Sequence, residues 1–289
     1  MTTWVDHTGN DSVGRTAIIA AALLPLAGMW MGLWSHIQRM MVFPGTPGLS
    51  VSFLNEVAER YGAKPIEVHT EDGERLYGWH REAERRSGPR RTLIYFHGNA
   101  SSVLEPLALQ ERLSASGWDF VATHYRGYPG STGVPSEAGV LRDAAATWKY
   151  VTEQLRTAPE RAVLHGRSLG GGVAVQLAAA VEPGALVLES TFTSIVELAR
   201  SRFPLLPDKL LAHPFRSRDF ASKVHCPVLV SHGSADTLIP VAHGRELASL
   251  FDAQYLESPG LEHNDPTWVG PSLDLYMQFL DAAVPAAQP

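Results

Sequence analysis

At 289 residues the chain is long enough for one large domain with a substantial core. A formal net charge of -6 excludes a phosphate-backbone partner, since nucleic-acid binders need clustered positive charge. The single cysteine, Cys226, rules out an intramolecular disulfide, and with no Cys-x-x-Cys or His-Glu-x-x-His pair a zinc site has no support.

The first feature in chain order is apolar. From Thr16 to Trp34, "TAIIAAALLPLAGMWMGLW" carries no charge, and as a helix it would extend about 28 Å, close to the hydrocarbon thickness of a bilayer. A single membrane anchor is the first reading, with a cleaved signal or an amphipathic docking helix as alternatives. "FPGTPGLS" then reads as a linker, and Ser52 to Tyr61 as a short helix.

"IEVHT" and "LYGWH" flank the turn "EDGER" and predict an antiparallel hairpin. The basic cluster "REAERRSGPRR" that follows reads as a solvated turn. Beyond it, strand-like runs alternate with helices: "TLIYFH" and Leu104 to Ser116, "DFVATH" and Ser136 to Leu155, "AVLHG" and Leu169 to Val181. "ALVLES", a longer helical insertion, "PVLVSH", a helix from Val241 to Leu250, "AQYLES" and a helix near Pro266 to Ala283 complete the series. Eight strands in this rhythm predict a mostly parallel sheet with helices on both faces, binding ligands at the strands' C-terminal edge.

Ser168 sits at that edge, in "HGRSLGGG". Serine is a common helix cap, and that is the bland alternative. The pattern Gly-x-Ser-x-Gly also suits a sharp strand-to-helix turn that holds a nucleophilic hydroxyl clear of the sheet. A serine nucleophile needs a histidine base oriented by a carboxylate, which this architecture supplies in the order serine, acid, histidine. Asp236 in "SHGSADTLIP" and His263 in "PGLEHNDP" follow the next strands in that order. Glu189 is the rival acid; His165 is expected within a strand, His243 within a helix, and Asp265 as a cap of the last helix. The backbone N–H groups of Asn99, in "FHGNAS", and of Leu169 are the candidate oxyanion donors.

"FHGNASS", "YRGYPGSTGVPSEAG", "HGRSLGGG", "LESTFTS", "HGSADTLIP" and "EHND", in that order, resemble the α/β-hydrolase superfamily, and more narrowly its bud-emergence-protein-like branch of membrane-anchored serine hydrolases. The resemblance spans about residues 40 to 280. It implies an α/β-hydrolase fold with Ser168 as nucleophile, Asp236 as acid and His263 as base. It also implies an N-terminal anchor. Relatives that deacylate protein cysteines carry an N-terminal cysteine cluster, which this chain lacks.

The expected organisation is a tail and anchor over residues 1–40, then a catalytic domain over 41–289 with a short cap at about 191–225. The expected activity is hydrolysis of carboxylic esters or thioesters through an acyl-enzyme, without a cofactor, on a small-molecule or lipid-like acyl substrate. The same groups could serve an amidase or peptidase, and the same fold a noncatalytic binding protein.

Overall fold

The central strands form from mostly apolar runs such as "TLIYF", "DFVAT" and "ALVLE", as strands covered on both faces must. A computed structural model describes residues 30, 32–86 and 88–286. Its one sheet contains β1 (Lys64–His69), β2 (Arg75–Arg81), β3 (Thr92–Phe96), β4 (Asp119–Thr123), β5 (Ala162–Arg167), β6 (Ala185–Glu189), β7 (Val228–Gly233) and β8 (Gln254–Ser258). The spatial order is β1-β2-β4-β3-β5-β6-β7-β8. β2 is antiparallel to both β1 and β4, and every other pairing is parallel.

The helices are α1 (residues 32–42), α2 (Val51–Arg60), α3 (Leu107–Ala115), α4 (Glu137–Lys149), α5 (Leu169–Val181), α6 (Ile195–Arg202), α7 (Ala242–Leu250) and α8 (Pro271–Ala283). Successive strand residues point to opposite faces, so the sheet feeds two cores. Ile94, Val121, Leu164 and Leu186 pack with Val140 of α4, Val173 of α5 and Leu247 of α7. Leu93, Phe120, Val163 and Ala185 pack with Leu54 of α2, Leu113 of α3 and Leu280 of α8. The two layers leave the C-terminal edge of the sheet free for loops. Asn99, Ser168, Asp236 and His263 all lie there, after β3, β5, β7 and β8.

Three local expectations need correction. The last helix starts at Pro271, not Pro266, because Thr267 and Trp268 are drawn down onto buried Glu189; Asp265 accepts a bond from the N–H of Glu262 at 2.9 Å instead of capping α8. The basic cluster is not a solvated turn. Arg86 and Arg90 bond the buried carboxylate of Asp119, while Arg91 is itself buried, stacks 4.6 Å from the Trp118 ring and bonds Asp281 at 2.8 Å. Finally, residue 40 falls inside α1, which is docked on the segment after α6. Trp34 Nε1 and Gln38 Nε2 each donate to the carbonyl of Leu210 at 2.8 Å, and Gln38 Oε1 accepts from the N–H of Ala212 at 2.8 Å. Most of the apolar run 16–34 lies outside the described residues, among which no helix is long and apolar enough to cross a membrane.

Two buried histidines behind the site make stability depend on pH. Burial disfavours their charged forms, bringing His97 down to about 3 and His124 down to about 4. Between those values and the ordinary value of about 6.5, the unfolded chain binds protons that the folded chain does not. Stability is therefore full above about pH 6.5 and falls as the pH is lowered toward 4, by on the order of 3 kcal/mol for His124. The thermal unfolding midpoint should decline steadily from pH 7 to pH 5, and less steeply in His124→Gln; a flat wild-type profile would contradict the assignment.

Candidate active site

The site begins with a backbone constraint. β5 gives way to α5 within one residue, which places Ser168 at φ 52 and ψ -118. A non-glycine residue there costs about 1–3 kcal/mol, so the surroundings must hold it. The N–H of Ser168 donates to the Glu189 carbonyl at 2.9 Å, and its carbonyl accepts from Thr191 Oγ1 at 2.6 Å and from the N–H of Gly171 at 3.0 Å. Glycine is required on either side: a Cβ on Gly166 would strike the carbonyl of Gly170, and one on Gly170 the carbonyl of Phe96. The serine side chain caps nothing in α5.

Instead Ser168 Oγ lies 3.1 Å from Nε2 of His263, whose Nδ1 lies 2.8 Å from Asp236 Oδ2. The carboxylate can only accept, so Nδ1 carries the imidazole proton and Nε2 is free to accept from the hydroxyl. Asp236 also receives the N–H groups of Leu238 and Ile239 on Oδ1, at 2.9 and 2.7 Å, and is approached by His232 Nε2 at 3.2 Å. Burial alone would push its carboxyl up, but the bonds from His232, His263 and Ile239 outweigh that and hold it well below the usual carboxylate range. It stays ionised throughout the neutral range.

The other candidates have different places. Glu189 is buried beneath the site and does not meet His263. It accepts from the N–H of Thr267 at 2.8 Å, and it contacts Trp268 Nε1 at 3.2 Å and His165 Nε2 at 3.1 Å. Burial would raise its pKa, but the His165 bond, the charge of Arg167 and the Thr267 N–H bring it down to about 2. His165 is fully buried in β5, and His243 contacts Thr193 Oγ1 at 2.9 Å. Among the described residues no cluster of acids, histidines and cysteine could hold a metal ion.

Asn99 and Leu169 line the same cavity as Ser168. Leu169 is the first residue of α5, so its N–H has no acceptor within the helix. The Asn99 loop is tied from behind: Tyr128 Oη donates to the Asn99 carbonyl, Tyr125 Oη to that of His97, and His97 Nδ1 to that of Gly98. The cavity measures about 900 Å³ and is walled mainly by apolar side chains, among them Trp34 and Met41 of α1, Phe192, Leu198 of α6, and Phe203 and Leu206 of the segment after α6.

Arg167 is the residue that the motifs do not announce. It is buried, pairs with Glu105, lies 4.0 Å from Glu189, and donates from Nη2 to the carbonyl of His263 at 2.8 Å. One guanidinium thus fixes the backbone of the histidine loop to the strand that carries the serine. The available signal was a lone arginine ending a strand with no other Asp, Glu, Lys or Arg, since a buried charge needs partners.

The family described as serine aminopeptidase, S33 (Hydrolase_4) matches residues 87–220. An uncharacterized protein of Mycobacterium tuberculosis is 35% identical over 254 residues, 86% of this chain and 88% of that protein. The zebrafish (Danio rerio) lysophosphatidylserine lipase ABHD12 is 33% identical over 60% of this chain and 50% of its own length. Among solved structures, an esterase of Pyrococcus furiosus superposes with a TM-score of 0.66 at 19% identity, covering 83% of this chain and 97% of that one.

Arg167→Lys keeps the charge but loses the fork that spans Glu105 and the His263 carbonyl. It should lower kcat by about 10- to 100-fold through misplacement of the histidine, with KM nearly unchanged and the protein still folded. Wild-type kcat would remove Arg167 from the positioning of His263.

Proposed function

The chain belongs to the α/β-hydrolase superfamily, and we propose that it is a serine hydrolase cleaving carboxylic esters or thioesters through an acyl-enzyme. The observation that carries this reading is the continuous set of contacts from Ser168 Oγ through His263 to Asp236. As Oγ attacks the acyl carbon, His263 Nε2 takes its proton and Asp236 stabilises the imidazolium. The developing oxyanion is received by the N–H groups of Asn99 and Leu169. Collapse breaks the acyl–oxygen or acyl–sulfur bond, with His263 returning the proton to the departing alcohol or thiol. Water then repeats the sequence on the acyl-serine, releasing the acid and restoring the hydroxyl.

An ester or thioester fits better than an aminopeptidase substrate, despite the description of the matching family. An aminopeptidase must hold the ammonium of its substrate, and among the described residues no aspartate or glutamate lines the cavity. The mainly apolar wall suits an acyl chain, and the names of the Pyrococcus esterase and the zebrafish lipase point the same way. A binding protein without catalysis would have no need of the strained backbone at Ser168. The reading also includes the bud-emergence-like branch and a single N-terminal anchor drawn from the charge-free run 16–34, with the catalytic domain following it.

On a soluble short-chain ester, Ser168→Ala should remain folded and lose turnover. Asp236→Asn should lose roughly four orders of magnitude in kcat, because the wrong imidazole tautomer then faces the serine. Near-wild-type turnover in Asp236→Asn, or undiminished turnover in Ser168→Ala, would overturn the mechanism.

A further inference from the structure

Exposed apolar side chains near the cavity occur along α1 and on the segment after α6, with Leu238 of the loop after β7 also lining the cavity. Around the helix axis, Ser35, His36 and Arg39 form a polar arc, while Trp34, Gln38 and Val42 occupy the arc turned to the cavity. The arc between them is apolar and uncovered: Leu33, Ile37 and Met40 are 53%, 39% and 60% exposed, and Trp30, one turn earlier, is 72% exposed. On the cap side of the cavity, Phe203 and Leu205 are 58% and 96% exposed. A surface helix ordinarily turns such a stripe to the core, and a contiguous apolar patch marks an interaction surface.

We propose that this stripe and the cavity lip seat on a lipid bilayer, so that an acyl chain passes from the membrane into the cavity without crossing water. Sequence continuity identifies the partner. The chain enters α1 from the charge-free run that begins at Thr16, which as a helix would match the thickness of a bilayer. A lipid surface is therefore the apolar phase nearest to α1. His36 and Arg39, on the arc beside the stripe, are placed to meet headgroups, the arrangement of a helix lying in the interface. The cap hydrogen bonds of Trp34 and Gln38 couple the seated helix to the cavity wall. The docking itself is independent of the chemistry; only the passage to Ser168 rests on the hydrolase reading.

The test uses the full chain in phosphatidylcholine vesicles. A fluorophore on Ile37→Cys, in a Cys226→Ser background, should be quenched by doxyl-labelled lipid and protected from aqueous iodide, and one on Ser35→Cys should show the reverse. Iodide quenching at Ile37 with no effect of the lipid quencher would overturn the proposal. So would efficient disulfide cross-linking of Ile37→Cys between two chains, which would make the stripe a dimer interface. The combined variant Leu33→Gln, Ile37→Gln, Met40→Gln should lower kcat/KM for a long-chain ester carried in the vesicles by about tenfold or more, while keeping turnover of a soluble butyrate ester within about twofold. Equal loss on both esters would overturn it. Lipid quenching at Ile37 with no ester hydrolysis by the wild type would support the docking and refute the hydrolase reading.

Discussion

A chain that leaves β5 and enters α5 within one residue has to hold Ser168 at positive φ, and the rest of the site follows from that demand. The turn closes only because Gly166 and Gly170 have no side chains, and it is kept closed by bonds to β6 and to Thr191 immediately beyond it. The hydroxyl is thereby lifted off the helix end and presented to His263. The same turn places the N–H of Leu169 at the helix start, where it lacks an internal acceptor. A single conformational constraint thus supplies both the direction of the proposed nucleophile and one candidate oxyanion donor.

Holding the imidazole in register is a separate problem, since His263 comes from a loop more than ninety residues away in sequence. Buried charge answers it. Glu189, directly after the strand core of β6, anchors Thr267 and Trp268 on the far side of that loop, and Arg167 grips the backbone of His263 itself. Such buried ionic groups are expensive to desolvate, and their value here lies in fixing one loop geometry. Asp236 works in the same way at closer range, with the backbone amides of Leu238 and Ile239 and two histidines sharing one carboxylate.

Much of this was legible in the sequence for a physical reason. Strands buried on both faces read as unbroken apolar runs, so β3 to β7 stand out, and the residues just beyond them must lie at one sheet edge. That logic, together with the order serine, acid, histidine, put Ser168, Asp236 and His263 near one another, with Glu189 as the rival acid at the same edge. The partners of Arg167 could not, because contacts with Glu105 and His263 span 62 and 96 residues and depend on how separate loops converge. The basic cluster misled for a related reason: Asp119, the buried acid it serves, lies two strands further on, at the first position of β4, and reads there as an ordinary strand start. The start of α8 was set by Glu189 and not by the Asp-Pro pair that would locally have begun a helix. The charge-free run was legible up to Trp34, but not that a helix continues to residue 42 and lines a cavity with the serine.

The central claim is that His263 activates Ser168. The direct measurement is intact-protein and peptide mass spectrometry of the full chain after brief exposure to a fluorophosphonate. The account predicts one phosphonyl adduct per chain, located on the peptide containing Ser168, with its rate of formation reduced by orders of magnitude in His263→Ala. An adduct on a different serine, or labelling of Ser168 at an unchanged rate in His263→Ala, would contradict it.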